Sequence, residues 1–269
     1  MTAGAPVARV HEAGSYAGPP RGAGLAAPLL GVFDRTRLGL LARVAPPPGR
    51  LLDAGAGRGR FVAAARAAGY DATGIEPSPA RAAAARELRG AEVAAVGIED
   101  AAVAPASLDA VSLWHVLEHV TDPGAALARV AGWLRPGGAL VVGVPNLDSW
   151  QAQLGAGRWF HLDLPRHRTH FTPAGLDTLL RAHGLEPVHT RHVLLEHNPF
   201  GMWQSGVSRM TRAPSYLFNL LKRSAPARSF DLVISLLALP LAPLAAVAEL
   251  VAGAARRGGT IAVVAQRRD

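Results

Sequence analysis

The stretch Leu51-Leu52-Asp53-Ala54-Gly55-Ala56-Gly57-Arg58-Gly59-Arg60-Phe61 decides the fold of this 269-residue chain. Its apolar start predicts a strand that runs to Asp53, its glycines predict a tight turn, and a helix leaves through Phe61. Glycine suits such a turn because it tolerates positive φ and leaves the backbone open to a ligand. A second predicted strand ends on Glu76, whose carboxylate can accept hydrogen bonds from both hydroxyls of a ribose. Together they predict a site for an adenosine-containing cofactor.

The spacing of the glycines distinguishes between adenosine cofactors. A dinucleotide site needs G-x-G-x-x-G, but Arg60 stands where the third glycine would be, which disfavours a nicotinamide-dependent oxidoreductase. An acidic residue before the turn suits a ligand with a cationic head, and S-adenosylmethionine carries both an ammonium and a sulfonium. The order D-x-G-x-G-x-G resembles motif I of the class I S-adenosylmethionine-dependent methyltransferases.

Later segments continue this resemblance in the same order. They are Asp109–Val120, which ends in Trp-His-Val-Leu-Glu-His-Val, then Leu134–Gly138 and Val144–Asn146. The similarity extends over about residues 40–190. It implies S-adenosylmethionine as the cofactor and a small-molecule substrate. It also implies a sheet with the strand order 3-2-1-4-5-7-6, in which the last strand is antiparallel.

The resemblance also implies a set of cofactor-binding residues: Asp53, Gly55, Gly57, Glu76, Pro77, Ile98, Glu99 and His115. Asp53 and the two glycines would hold the methionine end, and Glu76 would hold the ribose. Asp53 and Glu76 are expected at strand tips outside the core. Gly97 stands where many relatives carry an Asp that holds the adenine amino group, so Glu99 or Asp100 is expected to substitute. His115 would lie under the transferable methyl group and take part in catalysis.

A histidine-rich segment, Trp159–Thr172, follows the fifth predicted strand and is similar to one in a subset of small-molecule methyltransferases. Seven of the ten histidines lie between residues 161 and 197. His167 and His170 are the further catalytic candidates, since a hydroxyl acceptor needs its proton removed and histidine titrates near neutrality. This favours O-methylation over N- or C-methylation. The predicted substrate-binding residues are His119, His161 and Arg166. Two alternatives are structural histidines and a metal site, and no metal is expected because no carboxylate-rich group accompanies the cluster.

The amino-acid composition limits the classes of protein to which this chain can belong. Hydrophobic residues make up 49 % of the chain, which indicates a globular protein, and there is no cysteine for disulfides or zinc-thiolate sites. No basic start followed by an apolar run is visible, so a cytoplasmic location is expected, or one peripheral to the inner face of the membrane. Of the net charge of +8, residues 151–269 carry +7. Only 6 % of residues are aromatic and none interleaves with a basic run, which disfavours nucleic acid.

Alternating strands and helices from residue 50 onwards predict an α/β fold, with a doubly wound, seven-stranded, mostly parallel sheet. The strands are expected near residues 50–54, 71–76, 92–96, 108–114, 139–144, 187–196 and 260–266. An N-terminal helix is expected near 26–44, and a stop-and-turn at Leu134–Gly138. Residues 1–24 are predicted to be disordered, and residues 25–269 form the methyltransferase domain. Within it, residues 197–258 are an apolar helical insertion before the last strand.

Two interpretations of the insertion stay open. Leu232–Ala248 contains no charge over 17 residues, and Pro240 and Pro243 would break a spanning helix. One interpretation is two short helices, about 229–239 and 243–255, in the core or in a homodimer contact. The other is an apolar lid over the substrate pocket that also contacts a membrane surface peripherally through 229–255. Anionic lipid would then face the flanking cations Lys222, Arg223, Arg228, Arg256 and Arg257. A cofactor-binding partner protein without catalysis remains the non-enzymatic alternative for the chain.

Overall fold

The computed structural model describes residues 23–196, 198–222 and 226–268. Of the segment 1–24, predicted to be disordered, residues 1–22 lie outside this part, as does Arg223 of the predicted cationic flank. Ala23 and Gly24 already belong to the first helix, so the helix predicted near 26–44 is found at Ala23–Leu41.

The strands and helices alternate as the sequence predicts. The strands are β1 (Arg50–Ala54), β2 (Asp71–Ile75), β3 (Val93–Ala94), β4 (Leu108–Trp114), β5 (Leu134–Pro145), β6 (Leu185–Arg191) and β7 (Thr260–Arg267). The helices are α1 (Ala23–Leu41), α2 (Arg60–Ala67), α3 (Pro79–Arg89), α4 (Pro123–Trp133), α5 (Trp150–Gly155), α6 (Pro173–Ala182), α7 (Asn198–Val207), α8 (Tyr216–Leu221), α9 (Ser229–Ala238) and α10 (Ala242–Ala254).

The seven strands form one sheet in the order β3-β2-β1-β4-β5-β7-β6, which confirms the predicted topology. The neighbouring strands from β3 across to β5 all pair in parallel. The antiparallel direction of β7 stays a prediction. Residues in the middle of β1, β4 and β5 are buried whichever way they point, as in a parallel sheet covered on both faces. The carboxyl ends of β1, β2 and β4 therefore share one edge, where ligands of such sheets bind.

Strand β5 is longer than predicted. The expected turn at Leu134–Gly138 is wrong, because these residues form the first part of the strand. Leu108 pairs with Leu134 and Ala110 with Ala139, so extra residues of β5 bulge out between the two pairs. Gly137, at φ 73°, accommodates this bulge. The sixth strand ends at Arg191, short of the predicted residue 196.

The chain divides into two compact units. The sheet unit comprises Gly31–Val144, Pro173–Thr190 and the chain from Ala262 onwards. The helical unit includes Pro145–Thr172 and Arg191–Ile261. The predicted helices of the insertion are present in the helical unit as α9 and α10. They are joined by a 3₁₀ turn, Leu239–Leu241, in which the backbone stays helical. The expected interruption of the α-helix at the prolines is thus present, but it is only this 3₁₀ turn, so the helical segment continues over 26 residues.

Candidate active site

The turn after β1 has the backbone that its glycines allow. Gly55, Gly57 and Gly59 all have positive φ, at 83°, 55° and 72°. The Gly55 N–H donates to the Ile75 carbonyl oxygen at 2.8 Å, which closes the turn onto the end of β2. A Cβ at Gly55 would lie 2.3 Å from Val116 Cγ2, whereas a Cβ at Gly57 would meet nothing within 4 Å. Packing therefore requires Gly55, and Gly57 faces open space that a ligand can enter.

Glu76 lies beside this turn and is held in one orientation. Its Oε2 accepts from the Gly57 N–H and its Oε1 from the Ser78 N–H, each at 3.0 Å. The Arg81 guanidinium lies 3.6 Å from Oε1. Because a carboxylate has about four acceptor positions, each oxygen keeps one for a further donor. A vicinal diol such as that of a ribose fits these positions.

Asp53 is the second carboxylate of the turn. Burial raises its pKa to about 7, against the opposing effects of Arg37 and of a hydrogen bond from Ser112. Both Asp53 and Glu76 are buried, so the expectation that they stand outside the core is wrong. Arg37 and Asp34 of α1 lie close enough to Asp53 to act on its charge, and the Gly57 turn and Arg81 lie against Glu76. A carboxyl group poised near neutrality can ionise when a cation binds beside it.

Helix α1 supplies charged residues that the sequence analysis missed. Asp34 and Arg37 are buried, and Asp34 Oδ2 pairs with Arg60 Nη1 at 3.0 Å. The Arg37 guanidinium lies 4.3 Å from the centroid of the Trp114 ring. The signal was their spacing, because Asp34 and Arg37 fall on the same stripe as the buried Phe33, Leu40 and Leu41. Arg37 thus offers a positive charge near Asp53, suited to a carboxylate ligand.

Trp114 itself is only half-buried, so it is not the core residue one would expect at a strand end. A Cβ at Gly143 would lie 2.9 Å from its indole ring, and so this glycine lets the ring pack against β5. The next residue, His115, has φ 55°, and its N–H donates to the Gly143 carbonyl oxygen at 2.9 Å. Its Nδ1 lies 3.0 Å from Oε1 of the buried Glu118. Glu118 therefore orients the His115 imidazole, while His119 lies half-buried one residue further on.

The predicted adenine-binding residues meet around Gly97. Ile98 is buried, and its carbonyl oxygen accepts from Arg129 Nε at 2.8 Å. A Cβ at Gly97 would lie 2.9 Å from Glu99 Oε2 and 4.0 Å from Pro77 Cβ. The Glu99 carboxylate thus occupies the space beside Gly97 in which an Asp side chain would otherwise lie. Asp100 is exposed, like Glu99.

The histidine-rich segment lies in the helical unit. His161 and His167 are buried, and His170 is half-buried. His167 Nδ1 lies 2.7 Å from the His161 carbonyl oxygen, and His170 Nε2 lies 3.0 Å from that of Leu162. A carbonyl oxygen only accepts, so these nitrogens carry the protons when the rings are neutral. The basic lone pairs are then on His167 Nε2 and His170 Nδ1. Arg166 pairs with the Asp163 carboxylate.

An aromatic group beside these histidines was also missed. The Phe160 ring packs edge-on against Phe200 at 5.5 Å and Phe218 at 5.1 Å between centroids. It also lies 4.8 Å from the His161 ring. All three phenylalanines are half-buried, and two of them come from distant helices, so no local pattern could have predicted the group. The structure thus gathers the cofactor-type residues within the sheet unit and the histidines and aromatics within the helical unit.

Comparisons with known proteins agree with this geometry. A family model described as a methyltransferase domain matches residues 32–190, over half of the chain. A ubiquinone biosynthesis O-methyltransferase of Xanthomonas campestris is 38 % identical over 112 residues, which cover 39 % of this chain and 46 % of that protein. The chain thus spans about half the length of this relative. A protein of the same name from Cereibacter sphaeroides is 31 % identical over 180 residues, covering 62 % of this chain and 71 % of the relative.

Solved structures share the fold. One is the 1,6-didemethyltoxoflavin-N1-methyltransferase of Burkholderia thailandensis, which was crystallised with 1,6-didemethyltoxoflavin and S-adenosylhomocysteine. It aligns over 100 % of this chain and 93 % of its own, with a TM-score of 0.56 and 20 % identity. At this identity the likeness concerns the fold alone.

Proposed function

From the premise that the chain belongs to the S-adenosylmethionine-dependent methyltransferases, we propose that it methylates a hydroxyl group of a small, amphipathic acceptor. The cofactor of the family is S-adenosylmethionine. The observation that carries the proposal is the pair of buried carboxylates, Asp53 and Glu76, on either side of the open turn at Gly57. The Asp53 carboxylate suits an ammonium group, and the Glu76 carboxylate suits a ribose diol.

Residues of the sheet unit hold the cofactor in this proposal. Asp53 binds the ammonium group and Arg37 the carboxylate of the methionine end, while Glu76 accepts from the ribose hydroxyls. Pro77, Ile98 and Glu99 contact the adenine. Glu118 fixes the orientation of the His115 imidazole at the carboxyl end of β4, and this supports a role for His115 in holding the cofactor.

The protein's part in the chemistry is to position the acceptor and remove one proton. When bound, S-adenosylmethionine supplies a methyl group already activated by its sulfonium. The acceptor oxygen forms a bond to the methyl carbon as the carbon–sulfur bond breaks, so the products are a methyl ether and S-adenosylhomocysteine. The hydroxyl proton passes to His167 Nε2 or His170 Nδ1, because the other ring nitrogen of each histidine donates to a backbone carbonyl oxygen. Arg166, His119 and His161 bind the acceptor.

The aromatic group of Phe160, Phe200 and Phe218 indicates the kind of acceptor. Half-buried aromatic rings next to the histidines would bind an apolar or aromatic body, and the imidazoles would bind its hydroxyl. The relatives that are named ubiquinone biosynthesis O-methyltransferases agree with a hydroxyl as the acceptor group.

Two experiments test the proposal. Calorimetric titration with S-adenosylmethionine and with NAD separates a methyltransferase from the oxidoreductase alternative, since only the first ligand should bind. Release of S-adenosylhomocysteine is then measured with catechol and with 4-alkylcatechols of increasing chain length. Turnover should appear, and KM should fall as the chain lengthens. Phe160→Ala should raise KM for the alkylated catechols and leave that for catechol nearly unchanged.

The result that contradicts the proposal is equally clear. Binding of S-adenosylmethionine without turnover of any hydroxyl acceptor would favour the partner protein that binds the cofactor without catalysis. Methylation of amines in place of the catechols would leave the family intact and overturn the choice of a hydroxyl acceptor.

A further inference from the structure

The helical segment Ser229–Ala254 has small and polar side chains on its buried face and large apolar side chains on its exposed face. Its inward stripe consists of small, hydroxyl or acidic side chains: Asp231, Ser235, Ala238, Ala242, Ala245, Glu249 and Ala252. Beside this stripe, the half-buried Ile234 also packs against the buried Trp203, Val207 and Ala238. The residues of the stripe follow one another by four and three residues in turn, the spacing of one face of a helix. A helix that packs on a protein core normally turns its large apolar residues inward. In this segment, most of the large apolar residues face outward instead.

The outward face consists of large apolar side chains. Ten of them are between 43 % and 72 % exposed: Phe230, Val233, Leu236, Leu237, Leu239, Leu241, Leu244, Val247, Leu250 and Val251. The segment is the one described helix long and apolar enough to cross a membrane, with a mean hydropathy of 2.1 in its most apolar window. An exposed apolar surface of this extent on a soluble protein marks a contact with a partner or a membrane.

Buried anchors tie the segment to its own unit along its whole length. At its start, Asp231 accepts from the backbone N–H groups of Arg212 and Ala213, at 2.7 and 3.2 Å. In its middle, Trp203 Nε1 donates to the Ala238 carbonyl oxygen at 2.8 Å. Near its end, Glu249 accepts from the Gly259 N–H at 2.8 Å. A membrane-spanning arrangement would break all of these contacts, so the segment can only lie along a surface.

The charges around the exposed face favour an anionic surface. Within residues 198–222 and 226–258, every exposed charged side chain is a cation: Arg209, Arg212, Arg228 and Arg256. Lys222 and Arg257 are half-buried cations of the same part. The two acidic side chains of this part, Asp231 and Glu249, are buried. Arg212 even stacks on the exposed Phe230, at 4.8 Å from the ring centroid. A second copy docked on this face would bring two cationic rims together, which disfavours a homodimer.

We propose that the outward face of Ser229–Ala254 binds the surface of an anionic lipid bilayer, with the helix axis parallel to the membrane. The ten apolar side chains enter the boundary between headgroups and acyl chains, and the flanking cations contact lipid phosphates. The anchored inward stripe keeps the rest of the unit on the aqueous side. This contact is independent of the reaction and gives the protein a peripheral membrane location.

Flotation of the full-length protein with vesicles tests this contact. The vesicles contain either phosphatidylcholine alone or an equal mixture with phosphatidylglycerol, at about 0.1 M and about 1 M NaCl, which shorten the Debye length from about 10 Å to about 3 Å. The wild type should float with the anionic vesicles, less at high salt. Leu244→Glu should lower the partition coefficient by about tenfold or more, because a charge replaces a side chain that inserts. Leu88→Glu is the matched control, since Leu88 is 64 % exposed and Leu244 66 %.

Each other outcome overturns the proposal. An absence of flotation under all conditions would do so, and so would equal flotation of wild type and Leu244→Glu. If the wild type is a dimer by light scattering and Leu244→Glu makes it a monomer, the occupant of this face is a second copy. Resistance of the bound protein to carbonate extraction would indicate insertion in place of surface contact. Circular dichroism of each variant confirms that the fold is kept.

Discussion

The raised pKa of Asp53 makes the binding of S-adenosylmethionine dependent on pH. Burial raises this pKa to about 7, so the carboxyl group is mostly neutral at pH 6 in the free protein. The ammonium of the methionine end needs the ionised carboxylate. The proton must therefore leave before or as the cofactor binds, and the affinity should rise as the pH rises.

Linkage gives the size of the effect. With a pKa of about 7, the measured Kd at pH 6 is about elevenfold above its limiting value, and at pH 7.5 only about 1.3-fold above it. The affinity should thus increase by about eightfold, or about 1.2 kcal/mol, between these two pH values. Work above pH 7.5 would be confounded, since an α-amino group itself titrates near pH 8.

Titration calorimetry from pH 5.5 to 7.5 measures this, in pairs of buffers with different ionisation enthalpies. At pH 6, binding should release about 0.9 proton. Asp53→Asn should bind S-adenosylmethionine more weakly, by roughly 1–3 kcal/mol. Its affinity should not change with pH, and binding should release no proton. Asp71→Asn makes the same change at an exposed position and should behave as the wild type. A flat profile in the wild type, or an unchanged slope in Asp53→Asn, would refute the assigned role of Asp53.

Other substitutions separate binding, catalysis and stability. Gly55→Ala should lower the unfolding free energy by about 3 kcal/mol or more through its clash, whereas Gly57→Ala should cost only about 1 kcal/mol and mainly weaken cofactor binding. If His167 or His170 is the proton acceptor, its change to Gln should lower kcat by about 10²-fold with unchanged cofactor affinity. Unaltered rates in both variants would show that the two histidines have a structural role only. Burial raises the pKa of Glu249 to about 7. The stabilising contribution of Glu249 is complete below the unfolded pKa of 4.5 and disappears as the pH rises through 7. The unfolding free energy measured in urea should therefore fall by up to about 3 kcal/mol from pH 5 to pH 8. Glu249→Gln should lack this decrease.

The fold was predictable from the sequence where local signals and the family resemblance agree. The glycine turn after Asp53 needs positive φ and comes at the junction of a strand and a helix, so its position follows from chemistry that does not depend on distant contacts. The order of the strands came from the resemblance. The bulge that extends β5 was not predictable, because Gly137 suits a turn and a bulge equally well and only the pairing with β4 decides between them.

The site was predictable in part for the same reason. The carboxylates at Asp53 and Glu76 stand in a motif, but the cation beside them comes from α1, more than ten residues earlier in the chain. Arg37 and Asp34 carried a periodic signal in the sequence, because they are charges on an otherwise apolar stripe of α1, and burial of a charge needs a reason. The aromatic group of Phe160, Phe200 and Phe218 carried no such signal in the sequence, because its members meet only through tertiary packing.

The apolar insertion shows how composition alone can hide the orientation of a helix. By composition, Asp231 and Glu249 only mark the two ends of an uncharged stretch. They are 18 residues apart, however, which is five turns of an α-helix, so both must lie on the same face. Each carboxylate accepts backbone N–H groups of the helical unit, and together they fix the rotation of the segment about its axis. With that face turned inward, the leucines and valines of the segment have no direction left but outward. The exposed surface is therefore a consequence of two anchored carboxyl groups, and it would persist only as long as both remain buried.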